Sequence, residues 1–159
     1  MISIERLLKH MAWANQSVYK AAETLPDEAF NAYIVNPEWT VSQILKHIVG
    51  GATWYVHRLE IEQWKEIPKP SKGSDVKVLR EMLADFDAKI LSAVSKGEGK
   101  ITGTRDGEEI TRERSTIISQ AVHHATEHRA QLIDALEYKG YKIINLDDID
   151  LWAFESAVG

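Results

Sequence analysis

A chain of 159 residues, 44 % apolar and 27 % charged, is sized for one globular domain, 1–159, with a core of its own, and is too apolar for disorder. Its 19 basic and 24 acidic residues are interspersed, with no basic stripe to neutralise phosphates, so nucleic acid is excluded as a primary partner. The absence of cysteine removes disulfides, thiolate ligands and a cysteine nucleophile. The opening Met1-Ile2-Ser3-Ile4-Glu5-Arg6 lacks the apolar region of a signal peptide, and no apolar run approaches the ~18 residues of a membrane span. A cytoplasmic protein with no membrane partner is expected.

Ile4, Leu7, Leu8, Met11, Ala14, Val18, Ala22 and Leu25 recur at helical spacing and predict a first helix over 3–25, stopped by Pro26. A long connection over 26–39 leads to Thr40-Val41-Ser42-Gln43, a capping-box pattern. The second helix then runs through Ile44, Leu45, Ile48, Ala52, Tyr55 and Leu59 to about Trp64. Its interior Gly50-Gly51 costs roughly 1 kcal/mol per glycine relative to alanine, a loss that close packing or room for a ligand would explain. Ser74 is read as the cap of a third helix with the stripe Leu79, Leu83, Phe86, Ile90 and Val94.

Residues 100–105 and 108–113 flank Asp106-Gly107, a favoured two-residue turn, and predict a small exposed hairpin. A fourth helix follows, from about Thr111 or Ser115 to Lys139, with Gly140 as its stop. A short fifth helix is expected over Asp148 to Ala157. The fold class is therefore all-α: a four-helix bundle whose connections 26–39 and 96–114 are long enough to cross the bundle, with the hairpin between helices 3 and 4.

Chemistry concentrates in His124-Ala125-Thr126-Glu127-His128. An i, i+4 pair shares one helix face, here the face of Ala121, Ala125 and Leu132, so both imidazoles turn inward and need partners. Two readings stand: a hydrogen-bonded pair of core histidines, or two ligands of one metal ion. His47, between Ile44 and Ile48 on the second helix and one turn before Gly51, is the best third ligand. His123 lies about 100° around the helix from His124, as a surface residue or a proton-transfer neighbour. Glu127 is either an exposed helix former or, if His-x-x-Glu-His is an inverted zincin signature, a general base. Only 31 residues follow His128, which is short for the downstream carboxylate ligand of such a protease. His10 and His57 fall beside the stripes of their helices and are read as structural. Asn15 sits near the buried stripe of the first helix.

The segments Gln43-Ile44-Leu45-Lys46-His47-Ile48 and His124-Ala125-Thr126-Glu127-His128-Arg129-Ala130-Gln131-Leu132 resemble those of the DinB family of DinB/YfiT-like metalloenzymes. Leu8-Lys9-His10-Met11-Ala12-Trp13-Ala14-Asn15 and Trp39-Thr40-Val41 are similar too, and the likeness covers nearly the whole chain. The resemblance implies a crossover four-helix bundle, a homodimer, and a divalent metal, zinc or nickel, held by His47, His124 and His128. It also implies a small-molecule substrate and a low-molecular-weight thiol such as bacillithiol or mycothiol, because characterised relatives include thiol-dependent S-transferases and isomerases. Three functional expectations follow: a metal-dependent enzyme activating a thiol, a metal-dependent hydrolase with Glu127 or His123 moving protons, and a non-catalytic dimeric binding protein stabilised by its metal.

Overall fold

Ser3 Oγ accepts a hydrogen bond from Arg6 N and opens α1 (Ile4–Ala22) in the computed structural model, which describes residues 3–158 with the side chain of Arg105 left aside. A 3₁₀ turn over Asp27–Asn31 buries Ala29 and Phe30 before the chain reaches α2 (Val41–Arg58). Thr40 Oγ1 accepts from Gln43 N, as the capping pattern predicts. α3 (Gly73–Ser92), the strands β1 (Lys100–Arg105) and β2 (Glu108–Glu113), α4 (Arg114–Tyr138) and α5 (Leu151–Val158) complete the chain.

Each long helix turns its apolar stripe inward, so that Met11, Val18, Leu45, Ile48, Leu83, Phe86, Leu132 and Leu136 meet in one core. α1 packs against α3 and α4, and α2 packs against the same two helices. Helices consecutive in sequence, α1 with α2 and α3 with α4, therefore sit diagonally, and the two long connections cross the bundle as expected. The hairpin is antiparallel with Arg105 opposite Glu108. Asp106 and Gly107 both take positive φ, 54° and 84°, which matches the twist of the flanking strands. Ile101 anchors this otherwise polar hairpin in the core. Among the described residues no helix is long and apolar enough to cross a membrane.

The helix ends differ from expectation by a few residues. α1 stops at Ala22, not at Leu25, and α3 opens at Gly73 with Lys72, not Ser74, at its N-cap. α5 begins at Leu151 after a 3₁₀ turn over Asp147–Ile149, with Asp150 Oδ1 accepting from Ala153 N at 2.7 Å. The largest shift is in α2, which ends at Arg58 and not near Trp64. Ile61 N bonds back to Val56 O and Glu60 N to His57 O, a Schellman closure with Glu60 at φ 58°. Such closures favour glycine; with glutamate in that place the sequence carries no stop signal. The early end swings Trp64 off the helix and onto the wall of a cleft.

Candidate metal centre

α2 brings His47 to the edge of the core between the buried Ile44 and Ile48, while α4 places His124 and His128 one turn apart beside the buried Ala121 and Ala125. Because α2 and α4 are packed neighbours, the three rings converge. His47 Nε2 lies 3.0 Å from His124 Nε2, and one ring nitrogen from each residue falls within 4.8 Å of the others. Ring centroids are 4.4 Å apart for His47–His128 and His124–His128, and 4.8 Å for His47–His124. Metal–imidazole bonds of about 2.0–2.1 Å in tetrahedral geometry space ligand nitrogens ~3.3 Å apart. The cluster is thus of a size to share one ion. No further histidine or carboxylate joins it among the described residues.

The electrostatics suit a ligand set. Burial, then the neighbouring His128 and His47, pushes the His124 imidazole down to about 4. Burial and His128 also lower His47. Both rings are neutral at pH 7 and keep a lone pair for an ion, which a protonated imidazole lacks.

Gly51 and Gln131 hold the rings in place. A Cβ on Gly51 would overlap Cε1 of His124, so the second glycine of the pair makes space for that ring. Gly50 meets nothing within 4 Å and opens onto the cleft. Gln131 Oε1 accepts from Trp39 Nε1 at 3.0 Å and lies 2.8 Å from His128 Nδ1. Indole N–H only donates, so the amide must present oxygen to it. The same oxygen then requires the proton of His128 on Nδ1, which leaves Nε2 as the lone-pair nitrogen. Trp39 also sets its ring edge-on to both His47 and His128, at 5.0 and 5.6 Å.

A cleft of about 560 Å³ opens from His47 and His124, walled by Trp54, Trp64, Arg58 and Arg112. His123 and Glu127 are exposed on α4 and belong neither to the cluster nor to the cleft wall. Glu127 acts at a distance on Tyr55, whose phenol is raised chiefly by burial, eased by Gln120, and raised further by that charge. His57 is an exposed member of the cleft wall. His10 is structural: its Nε2 donates to Ile149 O at 2.8 Å, and its ring packs on Trp13 and Phe154.

Behind the cluster lies a buried polar network that sequence reasoning touched only at Asn15. Its amide donates to Asp87 Oδ2 at 2.9 Å and accepts from Arg129 Nη1 at 2.7 Å, so it bridges a carboxyl and a guanidinium. All three residues are at most 2 % exposed. Burial pushes Asp87 up to about 7 against the opposing pull of Asn15 and Arg129, and burial lowers Arg129 to about 10. A cavity of about 10 Å³, the space of one water, is lined by Asn15, Asp87 and His124 among others, and so lies between the network and the cluster. The available signal was a charge on a core stripe: Asp87 continues Leu83 and Ile90, and Arg129 continues Ala121 and Ala125.

The fold and site together define an all-α bundle with crossed connections and an open three-histidine cluster at the head of a cleft. The model of the DinB family matches residues 1–155, and the chain belongs to that family. Among solved structures it is similar to a DinB-like protein from Bacillus cereus ATCC 10987, with 16 % identity, a TM-score of 0.63, and coverage of 88 % of this chain and 95 % of that one. At that identity the likeness speaks for the fold alone. No curated protein matches the chain.

Proposed function

We propose that this protein is a metal-dependent enzyme in which His47, His124 and His128 hold one divalent ion, zinc or nickel, and which activates a low-molecular-weight thiol for transfer to a small electrophilic substrate. The observation that carries this reading is the cluster's setting: three imidazoles, two of them kept neutral by burial, at the head of a cleft of about 560 Å³, without a fourth protein ligand among the described residues. A structural site closes its coordination with a fourth side chain, whereas catalytic sites keep a position for substrate. An ion bound there supplies Lewis acidity that lowers the pKa of a thiol or water entering that position.

The protein's own residues prepare the place. Burial keeps His47 and His124 unprotonated at neutral pH. Gln131, itself held by Trp39, fixes the tautomer of His128. Trp54 and Trp64 give the cleft an apolar wall that shields a bound co-substrate from water. Thiol transfer is preferred to hydrolysis because Glu127, the base a hydrolase would need at the cluster, is exposed away from it. His123 and Glu127 retain only a role in exchanging protons with solvent.

Elemental analysis of purified wild type, His47→Ala, His124→Ala, His123→Ala and Glu127→Gln tests the ligand set. About one divalent ion per chain is expected in the wild type and in the last two variants, and little in the first two. Full metal retention by His47→Ala or His124→Ala would remove that residue from the set. Conjugation of monochlorobimane to a panel of thiols then tests the reaction: a rate that follows metal content is expected, and metal-loaded protein with no such rate for any thiol ends the transferase reading.

A further inference from the structure

The cleft differs in charge from the rest of the molecule. The chain carries 24 acidic and 19 basic residues, yet the cleft wall holds Arg58 and Arg112 and no carboxylate. Neither arginine forms an ion pair among the described residues. Arg58, on the last turn of α2, is half-buried, and its side chain makes no hydrogen bond among the described residues; the Trp54 ring lies 5.8 Å from the guanidinium carbon. A guanidinium offers five N–H donors in a planar fork, so leaving them without acceptors in a partly desolvated place is unfavourable.

The hairpin is shaped around this side chain. A Cβ on Gly103 would overlap Nη1 of Arg58, so β1 gives up a side chain, and some strand stability, for the guanidinium to lie against it. Opposite Gly103 in the register stands Ile110, and Arg112 follows two residues later on the same face of β2; Ile110 and Arg112 both line the cleft. Trp54 and Trp64, 42 % and 50 % exposed, add two flat apolar surfaces to the same space. Arg112 donates from Nη1 to Thr111 O at 3.0 Å and keeps its other donors. Two guanidinium groups without a carboxylate partner among the described residues, beside two open indoles, form a recognition pattern for an oxyanion attached to a planar or apolar body.

We propose that the co-substrate of this centre carries a carboxylate-type oxyanion, received by Arg58 and Arg112, on an apolar body that lies against Trp54 and Trp64. The inference rests on the proposed use of the cluster only for where the reacting end is placed; the anion site is defined by the cleft. Gly103 positions Arg58, and the hairpin positions Arg112, so the hairpin acts as the specificity element of a site whose chemistry belongs to the helices.

Calorimetric titration of the zinc-loaded protein with 4-mercaptobenzoate, its neutral isostere 4-mercaptobenzamide, and benzoate tests this. In the wild type the carboxylate thiol is expected to bind about tenfold or more tighter than the amide. In Arg58→Gln/Arg112→Gln the preference falls to about unity while affinity for the amide stays put, and Arg112→Gln alone, on an exposed strand, loses part of it without risk to the fold. Comparing the ratio between variants cancels differences in thiol acidity. A wild-type ratio near one, or a ratio unchanged in the double variant, overturns the proposal even if both thiols bind. Arginine-dependent binding of benzoate with no binding of either thiol beyond it upholds the anion site and removes the thiol reading instead.

Discussion

The histidine cluster and the Asn15–Asp87–Arg129 network are both polar groups set among the helices, with a 10 Å³ cavity that touches Asp87 and His124 between them. They differ in access to solvent. The network joins α1, α3 and α4 through Asn15, and its residues are sealed from solvent. The cluster joins α2 and α4, stays half-buried and faces a cleft, and its rings converge, with His47 Nε2 3.0 Å from His124 Nε2. A sealed, bridged charge pair fixes which helix faces meet; three rings crowded at the head of a cleft are of a size to share one ion. Together they draw on all four long helices, so the network that positions α4 against α1 and α3 also decides where His124 and His128 stand relative to α2.

The sharpest way to break this contrast is Asp87→Ala. It strands a buried guanidinium and is expected to lower stability by ~3–5 kcal/mol, read by urea unfolding, while the folded fraction still takes up metal. A loss confined to metal binding would assign Asp87 to the site and not to the scaffold. Gly51→Ala comes next. The added methyl must displace the His124 ring, so a loss of metal affinity and ~1–3 kcal/mol of stability is expected. Its neighbour Gly50→Ala meets nothing, and should gain up to ~1 kcal/mol with unchanged metal content, which makes the pair a test of crowding against helix propensity.

The smallest effect is in pH. In the metal-free protein His124 sits at about 4 against an ordinary 6.5, so the folded state resists protonation and stability falls as pH drops through that window. Asp87 runs the other way. Raised to about 7 from an ordinary 3.8, it contributes stability that is fully present below 3.8 and lost as pH rises through 7. The two oppose each other between pH 4 and 6.5, and a shallow net slope is expected. Asp87→Asn removes one side, so its stability should climb more steeply with pH than the wild type does. Parallel curves would mean that Asp87 does not titrate in this window.

Much of this architecture was legible beforehand. Regular stripes placed four helices, Asp106-Gly107 placed the hairpin to the residue, and Thr40 placed the start of α2. The i, i+4 spacing put His124 and His128 on one face, and His47 between Ile44 and Ile48 pointed to a third ring. The end of α2 was not legible, because Glu60 adopts a conformation whose usual marker is glycine. Periodicity alone therefore carries the helix on to Trp64, which the structure sets on the wall of a cleft. Arg58 and Gly103 lie 45 positions apart, and neither is conspicuous without the other.

The sequence by itself determined what depends on neighbours within a turn or two: which residues form helices, which faces are apolar, and that two imidazoles share a side of α4. Those relations follow from helical periodicity, which acts over a few residues. Only the tertiary structure decided that α2 lies beside α4 while α1 sits diagonal to α2 and α3 diagonal to α4. That choice brings His47 within 3.0 Å of His124, lays the hairpin over the cleft and seals Asp87 with Arg129 through Asn15. Distances between helices depend on how every apolar face in the bundle is satisfied at once, and no local spacing encodes that sum.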